Sequence, residues 1–351
     1  THLGHSFPTR RSSDLSANGD KGAVVDLKKT DPTIWKPNEK PDFSNLTDAI
    51  IYELHVRDFS IDANSGIKNK GKFLAFTEMG TKGIDGNLTG IDYIKALGVT
   101  HVELMPIFDY STINETSNKS QFNWGYNPKN YNAPEGSYST NPYNPTTRVK
   151  ELKQAVQALH DNGLRVNVDV AYDHMYSGIN SNFNKIVPGY YFRTNSNESG
   201  YGNTIASENV MARKFIVDSV IYWAKEYNLD GFKFDQMGLI DLKTMNEIRK
   251  KLSSINPSIL VLGDGSDKGT TLSPDVKANK QNASKLTEIT QFNDEIRDGL
   301  SGSVFLPKAK GFINGALQKE TAIKKGIVGG IDYSNIIETY GDRKSTRLNS
   351  S

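Results

Sequence analysis

Asp235 and Asp264 are the residues of this chain whose surroundings best suit chemistry. Asp235 closes the run Leu229-Asp230-Gly231-Phe232-Lys233-Phe234-Asp235, in which a short apolar stretch follows a long amphipathic segment. One unit later Asp264 closes Ile259-Leu260-Val261-Leu262-Gly263-Asp264 in the same way. Each reads as a carboxyl group delivered at the C-terminal end of a short buried strand. In repeating helix–strand proteins that end collects chemistry, because the loops there leave side chains free to converge on a ligand. Two carboxyl groups on neighbouring strand ends can divide the roles of nucleophile and proton donor, the minimum equipment for cleaving a glycosidic bond.

The elements that must position these groups recur along the chain. Residues 87–97 carry Ile91, Ile94 and Leu97 at helical spacing, with Gly98 as a stop, and a strand is expected over 99–107. Val149, Leu152, Val156 and Leu159 form a second apolar stripe, ended by Asn162-Gly163 and followed by a valine-rich strand over 164–171. Behind a Ser207/Asn209 cap region, Phe215, Ile216, Val220 and Trp223 lead into a strand over 231–234. Leu242, Met245, Ile248 and Leu252 lead through Pro257 into a strand over 259–262. Residues 49–54 and a stretch near 288–292 extend the series at either end. Short buried strands alternating with helices specify a parallel sheet with right-handed crossovers. An open Rossmann-like sheet and a closed (β/α)8 barrel both satisfy that pattern. No Gly-x-Gly-x-x-Gly follows a strand, and long loops do, which favours the barrel.

Composition narrows the function classes. The 351 residues allow two or three domains, or one large α/β barrel. A net charge of +2 provides no global field for nucleic acid or an anionic membrane surface. No apolar run is long enough to span a bilayer. Without cysteine there are no disulfides, thiolate metal sites or cysteine nucleophiles, and the compartment stays open. No glycine-rich anion loop accompanies the later strands, which argues against a phosphate-handling barrel. Residues 1–15 and 342–351 are polar and aperiodic, rich in Arg and Ser, and resemble translated sequencing-adapter tails. They are set aside from the fold, and the natural chain is expected to begin before Ser16 and to continue past Gly341. Residues 16–27 read as a terminal strand of another unit, and 30–43, with Pro32, Pro37 and Pro41, as a linker.

Three further stretches make a family visible. Tyr52-Glu53-Leu54-His55-Val56-Arg57-Asp58-Phe59-Ser60, Asn123-Trp124-Gly125-Tyr126-Asn127-Pro128 and Pro134-Glu135-Gly136-Ser137-Tyr138-Ser139-Thr140 resemble type I pullulanases. These are debranching enzymes of the α-amylase glycoside hydrolase superfamily. The resemblance runs from about Gly19 to Gly341. It implies an α/β fold, a (β/α)8 TIM barrel incomplete at its C-terminus over 47–341, preceded over 16–46 by the end of a β-sandwich domain and a linker. It further implies retaining hydrolysis of α-1,6-glucosidic branch linkages in pullulan, glycogen or starch-derived α-glucans, with an α-glucan as the partner. Such enzymes set a nucleophilic carboxylate and a carboxylic acid about 5–5.5 Å apart. By resemblance Asp235 matches the nucleophile and Asp264 the acid/base. Asp169 and His174, within Asp169-Val170-Ala171-Tyr172-Asp173-His174, match the pair that binds the sugar at the cleavage subsite. Tyr126 matches an aromatic stacked under that sugar, and Trp124 is open between loop packing and sugar contact. No cofactor is required; calcium occurs in the superfamily, but the sequence assigns it no ligands here.

The departures from the family pattern are as specific as the matches. Lys233 stands where the superfamily has Arg, and a lysine offers a point charge without a planar fork to hold the nucleophile. Asp264 stands where the family has Glu, withdrawing the proton donor by one methylene. Misplacement of roughly 1 Å can cost on the order of 10²-fold in rate. Ser266 replaces an aromatic wall, and Asp173 replaces an Asn. Asn335-Ile336-Ile337-Glu338-Thr339-Tyr340-Gly341 approaches the last motif, with Tyr340 and Gly341 where a His-Asp pair is expected. Two readings follow: a pullulanase-like hydrolase with impaired turnover, or an α-glucan-binding homologue that hydrolyses nothing.

Overall fold

The computed structural model describes residues 14–327, apart from 16, 19–21, 118, 304 and 307. Beyond a short antiparallel pair, Asp14–Leu15 with Gly22–Ala23, its strands in chain order are β1 (Ile51–Leu54), β2 (His101–Leu104), β3 (Phe108–Tyr110), β4 (Pro128–Pro134), β5 (Arg165–Val170), β6 (Gly231–Phe234), β7 (Leu260–Gly263) and β8 (Thr290–Gln291). All but β3 and β4 form one parallel sheet, in the spatial order β1-β2-β5-β6-β7-β8. Sequential neighbours joined by helices, all parallel, make this half of a (β/α) barrel.

The helices behind the sheet are α1 (Gly90–Ala96), α2 (Pro145–Asp161), α3 (Val210–Glu226) and α4 (Leu242–Ile255). Their starts follow local rules. The Asn144 side chain accepts from the Thr146 amide with Pro145 in the first turn, and the Asp241 side chain accepts from the Thr244 amide. Every residue of β5 is buried, as befits a strand covered on both faces. Val166, Val168 and Val170 join one apolar cluster with Val149, Leu152, Val156 and Leu159 of α2 and Ile216, Val220 and Trp223 of α3. The alternate residues, Asn167 and Asp169, pair in register with Gly231 and Lys233 on β6.

The sequence expectations hold for element type and differ at edges. The first helix starts at Gly90 rather than near 87, because the preceding turn is tied down. The Thr89 amide donates to the Thr81 carbonyl, its hydroxyl donates to the Ser65 carbonyl, and Gly90 takes a positive φ of 63°. The strand expected over 99–107 pairs in the sheet only as His101–Leu104. Past Pro106 the chain turns into the antiparallel β3–β4 hairpin, which the sequence reading did not anticipate.

Residues expected to serve as a linker pack against the barrel. The Lys40 ammonium donates to the Asn228 and Leu229 carbonyls, Arg165 donates to the Pro41 carbonyl, and Phe43 meets His101 edge-on. These contacts seal the N-terminal ends of β2, β5 and β6. Before them, Gly22–Ala23 pairs with Asp14–Leu15, and Leu27–Thr30 forms a 3-10 turn, so the strand expected over 16–27 is reduced to that short pair. Residues 1–13 of the first tail, the last motif at 335–341 and the second tail lie outside the described residues. Among the described residues, no helix is long and apolar enough to cross a membrane.

Candidate active site

The ladder geometry carries Asp235 and Asp264 to the same place. Phe234 pairs with Gly263 in the parallel register between β6 and β7. The Asp235 amide then donates to the Val170 carbonyl at 2.9 Å, and the Asp264 amide to the Phe234 carbonyl at 3.1 Å. Adjacent strands lie about 4.8 Å apart, so the two aspartates leave the sheet side by side at its C-terminal edge. The loops behind them are pressed together: the Gly238 amide donates to the Asp264 carbonyl, and a Cβ on Gly238 would stand 2.0 Å from the Ser266 carbonyl oxygen. Only glycine permits that approach.

The two carboxyl groups have opposite surroundings. Both the Ser266 amide, at 3.0 Å, and the Ser266 hydroxyl, at 2.5 Å, donate to Asp264 Oδ1, and Lys268 Nζ lies 3.9 Å from Oδ2. The Asp235 carboxyl is half-buried and accepts no hydrogen bond from any described residue. Burial, and next the Asp173 carboxylate, push Asp235 up to about 6, against the charges of Lys233, His174 and Lys268.

Lys233 does not reach the nucleophile candidate by hydrogen bond. Its ammonium donates to Asp169 Oδ2 at 2.7 Å and to Glu53 Oε1 at 2.8 Å, across three strands, with the Phe292 ring 5.5 Å away. Burial opposes its charge, but the Asp169 and Glu53 carboxylates more than offset this and hold it above the usual lysine range. The Tyr126 hydroxyl also donates to Asp169 Oδ2. Burial first, then that carboxylate, push the Tyr126 phenol far up, so it stays a neutral donor.

His174 is fully buried with both ring nitrogens engaged, Nδ1 with Asp173 Oδ2 at 2.9 Å and Nε2 with the Tyr126 carbonyl at 2.7 Å. Burial pulls its pKa down, yet the Asp173 hydrogen bond and charge reverse that and raise it. Its ring stacks on Tyr201 with centroids 3.8 Å apart. Trp124 stands apart from this network: it is 60% exposed, edge-on to Phe122 in the loop between β3 and β4.

Comparison with known proteins gives this geometry a family. The chain is 47% identical over 320 residues to the pullulanase of Bacillus subtilis strain 168, matching 90% of this chain and 44% of that protein. It superposes with TM-score 0.89, at 49% identity, on a crystal structure of pullulanase from Paenibacillus barengoltzii in complex with maltohexaose and alpha-cyclodextrin, covering 92% of this chain and 51% of that one. The pullulanase of Anoxybacillus sp. LM18-11 complexed with maltotetraose matches with TM-score 0.88 at 45% identity, covering 92% of this chain and 48% of that one. This chain is a homologue of the pullulanases. It spans about half the length of the relatives it matches. No family model matches it.

Pullulanase-type enzymes can bind calcium, and one group of described residues offers enough acidic oxygens to be tested for it. Asp109, Glu115 and Glu135 are buried, with ligand atoms within 4.8 Å of one another. The donors around them do not suit a divalent cation. Arg148 forks onto Glu115 at 3.1 and 2.7 Å and stands 3.8 Å from Asp109, and the Gly136, Ser137 and Tyr110 amides donate to Glu115 and Glu135. A guanidinium already fills the cationic place. Burial, and after it Glu115, push Glu135 up to about 7.

Several participants were not singled out from the sequence. Glu53 holds Lys233 from β1, Tyr201 stacks on His174, and Gln236 donates to Asp173 Oδ2 at 3.0 Å. Glu53 lies within the quoted Tyr52-Glu53-Leu54-His55 run, which was a signal of sorts. Tyr201 comes from a Ser-, Asn- and Gly-rich loop with no local pattern to mark it.

Proposed function

We propose that this chain performs retaining hydrolysis of α-1,6 branch linkages in α-glucans of the pullulan, glycogen or starch type. Asp235 attacks the anomeric carbon while Asp264 gives its proton to the leaving glycosidic oxygen, forming a glucosyl ester. Asp264, now ionised, takes a proton from water, whose oxygen displaces Asp235 and frees the sugar. The face of the Tyr126 ring supports the apolar side of the pyranose, its hydroxyl being committed to Asp169. Asp169 itself is fully buried, and its Oδ1 has no partner among the described residues. Lys233 balances Asp169 and Glu53, and His174 buttresses the Tyr126 backbone. The observation that carries this reading is the side-by-side exit of Asp235 and Asp264 from paired positions on β6 and β7.

One observation favours a second reading, binding without cleavage. The shorter Asp264 is drawn onto Ser266 rather than left free to reach a leaving oxygen. A reducing-end assay separates the two. Hydrolysis predicts release from pullulan, none from a linear α-1,4-linked glucan, and loss of release in Asp235→Asn. Retardation of the chain by pullulan in native electrophoresis, without release, supports binding alone. Neither retardation nor release defeats both.

A further inference from the structure

We propose that Asp173 is a positioning residue that fixes the pH range in which Asp235 is ionised and able to attack. The inference rests on the nucleophile role proposed for Asp235 and concerns how that role is tuned. Asp173 is buried behind the strand end, 1% exposed. Its Oδ2 accepts from His174 Nδ1 at 2.9 Å and from Gln236 Nε2 at 3.0 Å, while its Oδ1 is buried with no partner among the described residues. Gln236 is the residue after Asp235 and holds a left-handed backbone, φ 45° and ψ 40°, so that its amide reaches back to Asp173. The Ser199 carbonyl and Lys268 fix the other contacts of that amide, at 3.1 and 3.3 Å. Asp173 is thereby bound to the backbone that carries Asp235.

The charged and titratable groups acting on Asp235 come from every neighbouring element. Asp173 and His174 follow β5, Lys233 lies on its own strand, and Lys268 comes from the loop after β7. Tyr126 and Tyr201 feel its charge from the hairpin loop and the loop before α3, and Asp264 stands on the adjacent strand end. The three cations are partly spent elsewhere. Lys233 is bonded to Asp169 and Glu53, His174 to Asp173, and Lys268 to Gln236 with Asp264 close by. Asp235 has no donor among the described residues, and the buried Asp173 carboxylate, paired with His174, acts on it. Like charges in a shared low-dielectric site resist joint ionisation. An uncharged amide at position 173 would preserve the shape and remove that resistance.

The test is the titration of the Asp235 carboxyl carbon by NMR in the full chain, assigned by its loss in Asp235→Asn. In the unmutated chain we expect a midpoint near 6. In Asp173→Asn we expect it to fall, by less than the lost charge alone would give because His174 loses the partner that holds its pKa up, with the acid limb of kcat/KM on pullulan moving in parallel. Asp173→Ser removes the same charge with a smaller side chain and serves if the amide does not pack. An Asp235 midpoint unmoved in whichever variant folds overturns the proposal. The carboxyl titration does not depend on turnover, so a chain that shifts its midpoint yet hydrolyses nothing sinks the hydrolase reading and leaves the Asp173 effect standing.

Discussion

Strand β6 carries an aspartate just beyond each end, and the two are treated in opposite ways. At the N-terminal end Asp230 is fully buried and saturated. His160 Nε2 lies 2.6 Å from one oxygen, Lys40 and Arg165 lie 3.1 and 3.2 Å from the other, and the Val166 amide donates at 2.7 Å. Burial opposes its charge, but the His160 hydrogen bond and then the Lys40, His160 and Arg165 charges hold it well below the usual carboxylate range. At the C-terminal end Asp235 has no donor among the described residues and is pushed up to about 6. The same residue type serves as a structural rivet at one end and a strained, available group at the other. Barrel folds separate stability from chemistry in this way, face by face.

Breaking each aspartate in turn sharpens that contrast. The largest effect is expected from Asp230→Ala, which strands two buried cations and costs about 3–5 kcal/mol in urea unfolding. Because the folded carboxyl is depressed, its contribution is fully present above the ordinary carboxylate range and disappears as pH falls through the folded value. Asp235→Asn has the opposite sign. A carboxyl raised in the folded state favours folding below the unfolded value of about 4 and loses that advantage as pH rises through about 6. The variant is therefore expected to gain about 1–2 kcal/mol at pH 8 and nothing at pH 4, by unfolding at both. An equal change at both pH values would show that Asp235 is not held against its charge.

Lys233 lies between the two extremes. Lys233→Met leaves Asp169 and Glu53 without their shared cation and is expected to cost about 2 kcal/mol, whereas Lys233→Arg keeps the charge and costs under about 1 kcal/mol. Equal losses would mean that shape, not charge, is what position 233 supplies. The smallest effect belongs to Trp124→Ala, where exposure predicts a stability change under about 0.5 kcal/mol. A weaker hold on pullulan in that variant, with stability unchanged, would assign the ring to sugar contact.

Both ends of β6 were visible in the sequence as positions, but not as environments. Leu229 to Asp235 shows a short apolar strand bracketed by acids because a period-2 strand ending in glycine-rich loops is a local pattern. Which acid is satisfied depends on partners supplied from residues 40, 160 and 165, far along the chain, and no window reading reports them. The same limit explains Glu53 and Lys233, matched across 180 positions. The β3–β4 hairpin escaped notice because Pro128, Asn130 and Pro134 are poor strand formers, held by tertiary contacts such as the Trp223 indole donating to the Tyr131 carbonyl. The first helix is shorter than its apolar spacing suggests because a turn closed by Thr89 wins over helix propensity there.

The most direct test of the account is covalent trapping with an activated fluorinated glucosyl donor, read by peptide mass spectrometry. One glucosyl ester is expected, on the peptide containing Asp235, forming faster as pH rises through about 6 and absent in Asp235→Asn. An ester on Asp264, or none under conditions where the chain demonstrably holds glucan, would contradict it.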